Sequence, residues 1–478
     1  MDLCLRDDEN NPILSMDDLR RFRVSPTHGF LLENPATALP ELYSSWDEIA
    51  KNMVQLIQSG DVRSTVDNMS ELDIGALEAR DEFSEEEQYR NLRLAHLQLL
   101  TIMAGYVWSE GDLNVPPSLP PQLSIPLWRV CERLGGVKPA PCYMSLVLAN
   151  YQPIDPAKDL RVYDPDDNLR LISFKLIPDY GNEWFFLNAV QVELDFAPLL
   201  PSLIAGIRAS RHPPGTHTQL LQETLHHVQH TVETMTSTLK KVGDHLSPTV
   251  FFDEFRPYFS GFTGGLFDEW GGVRFEGVGD DEPKQYAGGS AAQSSTIQVI
   301  DAFLGIQHSE DYLMKIRDYM PPEHKAFVEA VETQSRLRQR VELEAEQLRP
   351  AYNAAVKQLV TFRKAHLGIV HRFILKPGQK AKQSRSRDSS IASNSETGSY
   401  WESGLRFLKG LSQSLPNLVT ECCSQYEMDR QPTMPTPRIS KSYESLDNRG
   451  TGGTDLTRFL NAVRKDTKEA IFPAKTNK

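Results

Sequence analysis

The sequence predicts a mainly helical protein, and three stretches carry that prediction. From Leu220 to Val242 the residues Leu221, Leu225, Val228, Val232, Met235, Leu239 and Val242 keep a three-four spacing, closed by Gly243. Between Pro350 and Lys376-Pro377-Gly378, a second helical stripe runs through Tyr352, Val356, Leu359, Phe362, Ile369 and Phe373. A first-turn proline opens it and a helix-stopping run closes it. Ser84-Glu85-Glu86-Glu87 is a capping box, Ser84 facing Glu87, that starts a third helix through Tyr89, Leu92, His96, Leu99 and Met103 towards Trp108.

The 478 residues are enough for two or three domains and a large core. A net charge of -13 and a pI near 5.5 argue against non-specific binding to nucleic acid or anionic membranes. The acidic start, Met1 to Asp8, does not read as a signal peptide, and no uninterrupted apolar run is long enough to span a bilayer. Of five cysteines, Cys422 and Cys423 are adjacent and Cys4, Cys131 and Cys142 stand alone. No CxxC pair exists for structural zinc or covalent haem attachment. The chain is expected to be cytoplasmic, with reduced thiols.

Along the chain, helical spacing begins at Trp46, Ile49, Met53 and Leu56. Val115 to Pro121 holds four prolines and is expected to be a stiff, non-helical connector. Cys142 to Asn150 is a short apolar run, helix or strand. Polar, Asp- and Pro-rich sequence from Gln152 to Asn168 then reads as a boundary. A second domain begins at Trp184-Phe185-Phe186-Leu187. Residues 380 to 449 turn rich in Ser, Arg, Lys, Asn, Pro and Gly and are expected to be a disordered insertion. A C-terminal helix should run through Phe459 and Val463.

Several residues could carry chemistry. His366 falls within the apolar stripe, between Phe362 and Ile369, whereas His371 projects away from it. An imidazole among apolar neighbours is either a core residue satisfied by a hydrogen bond or an axial metal or haem ligand, and spacing alone leaves both open. His226 and His230 lie beside the Leu220–Val242 stripe as solvated surface. Glu223-x-x-His226 has no second Glu-x-x-His to complete a di-iron site. Arg256, among Phe251, Phe252, Phe255 and Phe259, either clamps a ligand carboxylate or pairs with Asp253 or Glu254. Ala287 to Ser295 has no bulky side chain, so backbone can approach a flat cofactor or another element there. Asp301 stands in an apolar helix and needs a strong partner. Gly450-Thr451-Gly452-Gly453-Thr454-Asp455 lacks the P-loop lysine and reads as a mobile loop.

Four motifs in one order, Tyr286 to Ser295, Arg317-x-Tyr319-Met320-Pro321-Pro322-x-His324, Phe362-Arg363-x-x-His366-Leu367 and Gly450 to Asp455, resemble indoleamine 2,3-dioxygenase over nearly the whole chain. The long polar insertion suggests a fungal-type member. The resemblance implies a small, mixed but mostly helical N-terminal domain (1–152), a connector (153–180) and a large all-helical haem domain (181–378 and 450–478), with 379–449 inserted. It implies a monomer that binds haem b, L-tryptophan and O2, with no nucleic-acid or membrane partner. The implied reaction opens the indole C2–C3 bond to give N-formylkynurenine, the first step of the kynurenine route towards NAD.

Carried over by position, His366 becomes the proximal iron ligand, with Asp301, Arg363, Gly289 and Ser290 around the cofactor. Tyr143, Leu146, Val147, Phe185, Phe251, Arg256 and Ala291 become the substrate pocket, closed by Thr451. Many animal members carry serine where this chain has Ala189, so no side chain at that position can act as acid or base. Ala189 and the insertion also admit two other readings. One is a low-activity haem-binding paralogue that senses tryptophan or a gas. The other is a helical interaction protein working through its insertion.

Overall fold

The computed structural model describes residues 13–160, 168–279, 281–309, 311–383 and 456–473. Their contacts divide the chain into one unit, Met1–Pro377 with Lys441–Lys478, and a second, Gly378–Ser440. The first unit is mainly helical. Its strands among the described residues are two-residue pairs: Ser118–Leu119 runs parallel to Arg274–Phe275, and Gln152–Pro153 runs antiparallel to Leu169–Arg170.

Three long helices form where the apolar stripes predict them. Glu85–Trp108 starts at the expected capping box: Glu87 N–H donates to Ser84 Oγ at 3.3 Å, and Ser84 N–H donates to Glu87 Oε2 at 2.9 Å. It is buried on every side from Asn91 to Trp108, so it crosses the interior rather than covering it. Thr218–Lys240 buries Leu221, Leu225, Val228, Val232 and Met235 completely. Its main neighbour is the third helix, Ala345–Val370, which buries Tyr352, Val356 and Leu359 against it. Leu456–Glu469 is the expected C-terminal helix, packed on Ala345–Val370.

The proline punctuation needs correction at three places. Pro350 lies inside the Ala345–Val370 helix rather than at its start. It is close enough to the N-terminus that its missing N–H removes only one bond of the helix, the one that would reach the carbonyl of residue 346. Lys376-Pro377 does not end the segment either. His371–Leu375 widens into a π-helical turn and the backbone stays helical through Gln383, so residues 380–383 of the expected insertion are helical; residues 384–449 lie outside the described residues. In that turn Lys376 N–H bonds the carbonyl of His371, five residues back, so the register has already shifted where proline lacks a donor. Pro121, expected in a non-helical connector, is the first residue of the helix Pro121–Arg133.

Gly181–Ser210 is long and apolar enough to cross a membrane by length and composition. Yet 72% of its most apolar window is buried within the protein. The stretch is not an uninterrupted apolar run, since Glu183, Glu193, Asp195 and Arg208 lie within it, and its apolar surface is used by the core. It divides into helices Gly181–Phe196 and Leu200–Ser210, joined at Ala197–Leu199.

Candidate functional site

A cavity of about 260 Å3 opens between Gly181–Phe196, the Val250–Phe259 segment, the 289–301 stretch, Ala345–Val370 and the C-terminal helix. The wall is largely apolar. Phe185 stacks on Phe259 with ring centroids 5.6 Å apart, and Phe251 touches both Phe185 (5.2 Å) and Phe373 (5.7 Å). Two π-helical turns, Val250–Phe255 and His371–Leu375, meet here and deliver Phe251 and Phe373. Such turns hold one residue more than an α-turn and re-aim the side chains they carry.

His366 lines this cavity. It is half-buried. Burial, with the Arg363 guanidinium acting in the same direction, pushes its pKa down to about 4. The ring is neutral near pH 7 and makes no hydrogen bond to a described residue. This differs from the other buried histidines. His96 is also pushed down by burial, to about 3, but its Nδ1 meets Ser145 Oγ at 2.6 Å. His371 is exposed, as are His226 and His230, while His227 Nδ1 pairs with Ser202 Oγ at 2.8 Å. Among the described residues no group of three His, Cys, Asp or Glu is placed to hold a metal ion.

Asp301 finds its strong partner in Arg363. Arg363 Nη2 donates to Asp301 Oδ2 at 2.5 Å, and His308 Nε2 reaches the same oxygen at 2.9 Å. Burial alone would raise the Asp301 pKa, but Arg363 and His308 outweigh it and hold the carboxyl below its usual value. Asp301 makes no hydrogen bond to His366. Arg363 Nη1 donates to Thr467 Oγ1 at 2.5 Å, so both of its terminal nitrogens have protein partners at the cavity edge.

Arg256 is 1% exposed, while Asp253 and Glu254 beside it are exposed. Burial lowers its pKa from 12.5 to about 10, and its guanidinium lies 5.6 Å from the centre of the Phe252 ring. It lines the cavity with Phe185, Ala189, Phe251 and Tyr143. Leu146 and Val147 are buried but are not among the lining residues.

The small-residue run divides its roles. Gly288 lies against the backbone of Phe259 to Gly261, where any Cβ would collide. Gly289, Ser290, Ala291 and Ala292 line the cavity, and a Cβ on Gly289 would meet Leu146 at 3.3 Å. Ser290 Oγ accepts from Ala292 N–H at 3.2 Å, which leaves its hydroxyl hydrogen available. Thr451 and its glycines lie outside the described residues.

Three functional neighbours escaped the sequence reading. Glu193 is 1% exposed and accepts hydrogen bonds from Tyr143 Oη (2.9 Å), Ser294 Oγ (2.7 Å) and Thr296 Oγ1 (2.5 Å). Burial raises its pKa, and the three hydroxyls oppose that shift. It could have been flagged, because a carboxylate between Val192 and Leu194 poses the same problem as Asp301. His308 and Thr467 left no signal, since their partners come from other elements.

A cavity with these walls fits a flat, apolar, iron-bearing macrocycle. The imidazole is neutral, with one ring nitrogen free for ligation, the rings offer faces, and glycine keeps one wall thin.

A family model described as indoleamine 2,3-dioxygenase matches residues 18–470. A mouse protein named indoleamine 2,3-dioxygenase 2 is 32% identical over 462 residues, covering 95% of each chain. An Aspergillus candidus protein named indoleamine 2,3-dioxygenase acdA is 30% identical over 85% of this chain and 97% of its own. A protein of the abalone Haliotis madaka named myoglobin is 32% identical over 75% of this chain and 89% of its own. With the cavity, its histidine and its buried arginine, these matches show that the chain belongs to the indoleamine 2,3-dioxygenase family of haem-dependent dioxygenases.

Proposed function

We propose that this chain cleaves the C2–C3 bond of the indole ring of L-tryptophan with O2, giving N-formylkynurenine. One observation carries the reading: His366, neutral and without a hydrogen bond to any described residue, opens into a phenylalanine-lined cavity that also holds buried Arg256.

In this reading His366 ligates the haem iron, and Arg363, Gly289 and Ser290 border the macrocycle. When bound, haem supplies the iron at which dioxygen becomes reactive. The chain's own part is placement. Arg256 grips the substrate carboxylate, a charge-assisted contact strengthened by its dry setting. Phe185 and Phe251 enclose the indole and exclude water, so the reacting bond is held in one orientation. Ala189 neither takes nor gives a proton, so no side chain at that position removes the indole proton. Tyr143 is committed to Glu193, whose buried carboxylate keeps the phenol proton in place. The reading includes a cytoplasmic monomer.

The abalone relative named myoglobin supports a second reading, in which the same cavity binds haem and a small ligand with little turnover. Its identity to this chain equals that of the mouse dioxygenase, so identity does not separate the two. Single-turnover formation of N-formylkynurenine by the ferrous, haem-loaded protein does. Product in stoichiometric amount supports the dioxygenase, and its absence at full haem occupancy overturns it.

A further inference from the structure

His308 belongs to none of the motifs that identify the family. It lies in the loop after Gly305, which ends the Ser295–Leu304 helix in the left-handed region (φ +68°). Its side chain is 11% exposed. Asp301 is held ionised and can only accept, so the hydrogen in their 2.9 Å contact sits on His308 Nε2. Asp301 Oδ2 therefore takes two donors, His308 and Arg363, while Oδ1 is buried and has no partner among the described residues.

The other side of the loop is tied down as well. Ser309 N–H and Oγ both donate to Asp466 Oδ2 at 2.9 Å, and His308 Nδ1 faces that oxygen at 3.8 Å. Asp466 and Thr467 are consecutive on the C-terminal helix. One grips the His308–Ser309 loop and the other grips Arg363, so the contacts close a ring: Asp466, His308–Ser309, Asp301, Arg363, Thr467. The same helix brings Phe459, Leu460 and Val463 to the cavity that Asp301, Arg363 and His366 line.

We propose that His308 is a positioning residue for the His366 side of the cavity. By closing this ring it fixes the rotation of the Asp301 carboxylate, and with it what Oδ1 and Arg363 present to a group bound at His366. The inference rests on His366 being the iron ligand. Without His308 the carboxylate keeps the Arg363 contact on Oδ2 but loses the second of its two restraints, so it can turn about that remaining bond and redistribute its charge. The bond from a ligating imidazole to iron responds to acceptors around the ring, so the change is readable there.

The test is resonance Raman spectroscopy of the ferrous, haem-loaded full chain, following the iron–histidine stretch, with thermal unfolding measured alongside. His308→Ala should shift or split the band. His308→Gln, which keeps an N–H for Asp301, should restore it. A purely structural role would lower the unfolding temperature and leave the band in place. If the alanine variant does not fold, His308→Asn, too short to reach Asp301, takes its part and should shift the band as well. An unmoved band in every folded variant overturns the proposal, as does a shift that glutamine fails to restore. A wild type with no iron–histidine band would instead overturn the reading of His366.

Discussion

Replacing Arg256 by leucine removes a guanidinium that the fold holds almost entirely out of water. Burial lowers its pKa from 12.5 to about 10, and that fall corresponds to about 3 kcal/mol of lost hydration. A substrate carboxylate arriving at Arg256 recovers this cost, which is why the contact should be strong despite the dry site. Arg256→Leu should therefore weaken tryptophan binding by about 3 kcal/mol, roughly a hundredfold, within the range for truncating one side of a buried charge pair. The assay compares tryptophan with tryptamine, which lacks the carboxylate, by titrating the haem absorbance of wild type and variant. Wild type should lose a similar factor on going to tryptamine, and the variant should lose little. Equal sensitivity of both proteins to the missing carboxylate would refute the contact.

Three more outcomes follow from the same geometry. His366→Ala should lose haem, whereas His371→Ala and His96→Ala should retain it, checked by Soret intensity at equal protein concentration. Glu193→Leu strands the hydroxyls of Tyr143, Ser294 and Thr296. It should lower stability by about 1–3 kcal/mol for each hydroxyl left unsatisfied, and Glu193→Gln by much less, checked by urea unfolding. His96 and His324 are each pushed down from 6.5 to about 3 by burial. In the unfolded chain they take a proton near 6.5, so stability is complete above that pH and falls as pH drops towards 3. Each contributes about 1.4 kcal/mol per pH unit across that window. His324→Gln should therefore flatten the decline between pH 6 and 4, and an unchanged slope would count against the assignment.

The long helices were legible because their cause is local. Leu221, Leu225, Val228 and Val232 must share a face wherever that helix packs, and the Ser84–Glu87 capping box is complete within four residues. The extent of the His366 helix was misjudged because a proline rule is statistical. Tertiary packing kept Pro350 inside the helix, and a π-turn carried the backbone past Lys376. That turn and Val250–Phe255 have no sequence signature, yet together they place Phe251 and Phe373. His366 and Arg256 could be singled out, since an imidazole or a guanidinium among apolar residues needs an explanation. Their roles could not be read from spacing, because they depend on a cavity built from segments far apart in the chain. The ring around Asp301 was invisible for the same reason: Arg363 and Thr467 are 104 residues apart.

The central claim is that the His366 cavity holds haem and turns over tryptophan. It is tested most directly by one single-turnover experiment on the purified, haem-loaded chain, reduced and mixed with L-tryptophan and O2 while the absorbance spectrum is followed. The account predicts a histidine-ligated Soret band, a spectral change on adding tryptophan and about one N-formylkynurenine per haem. A stable oxygen complex that decays without product, or a chain that takes up no haem, would contradict it.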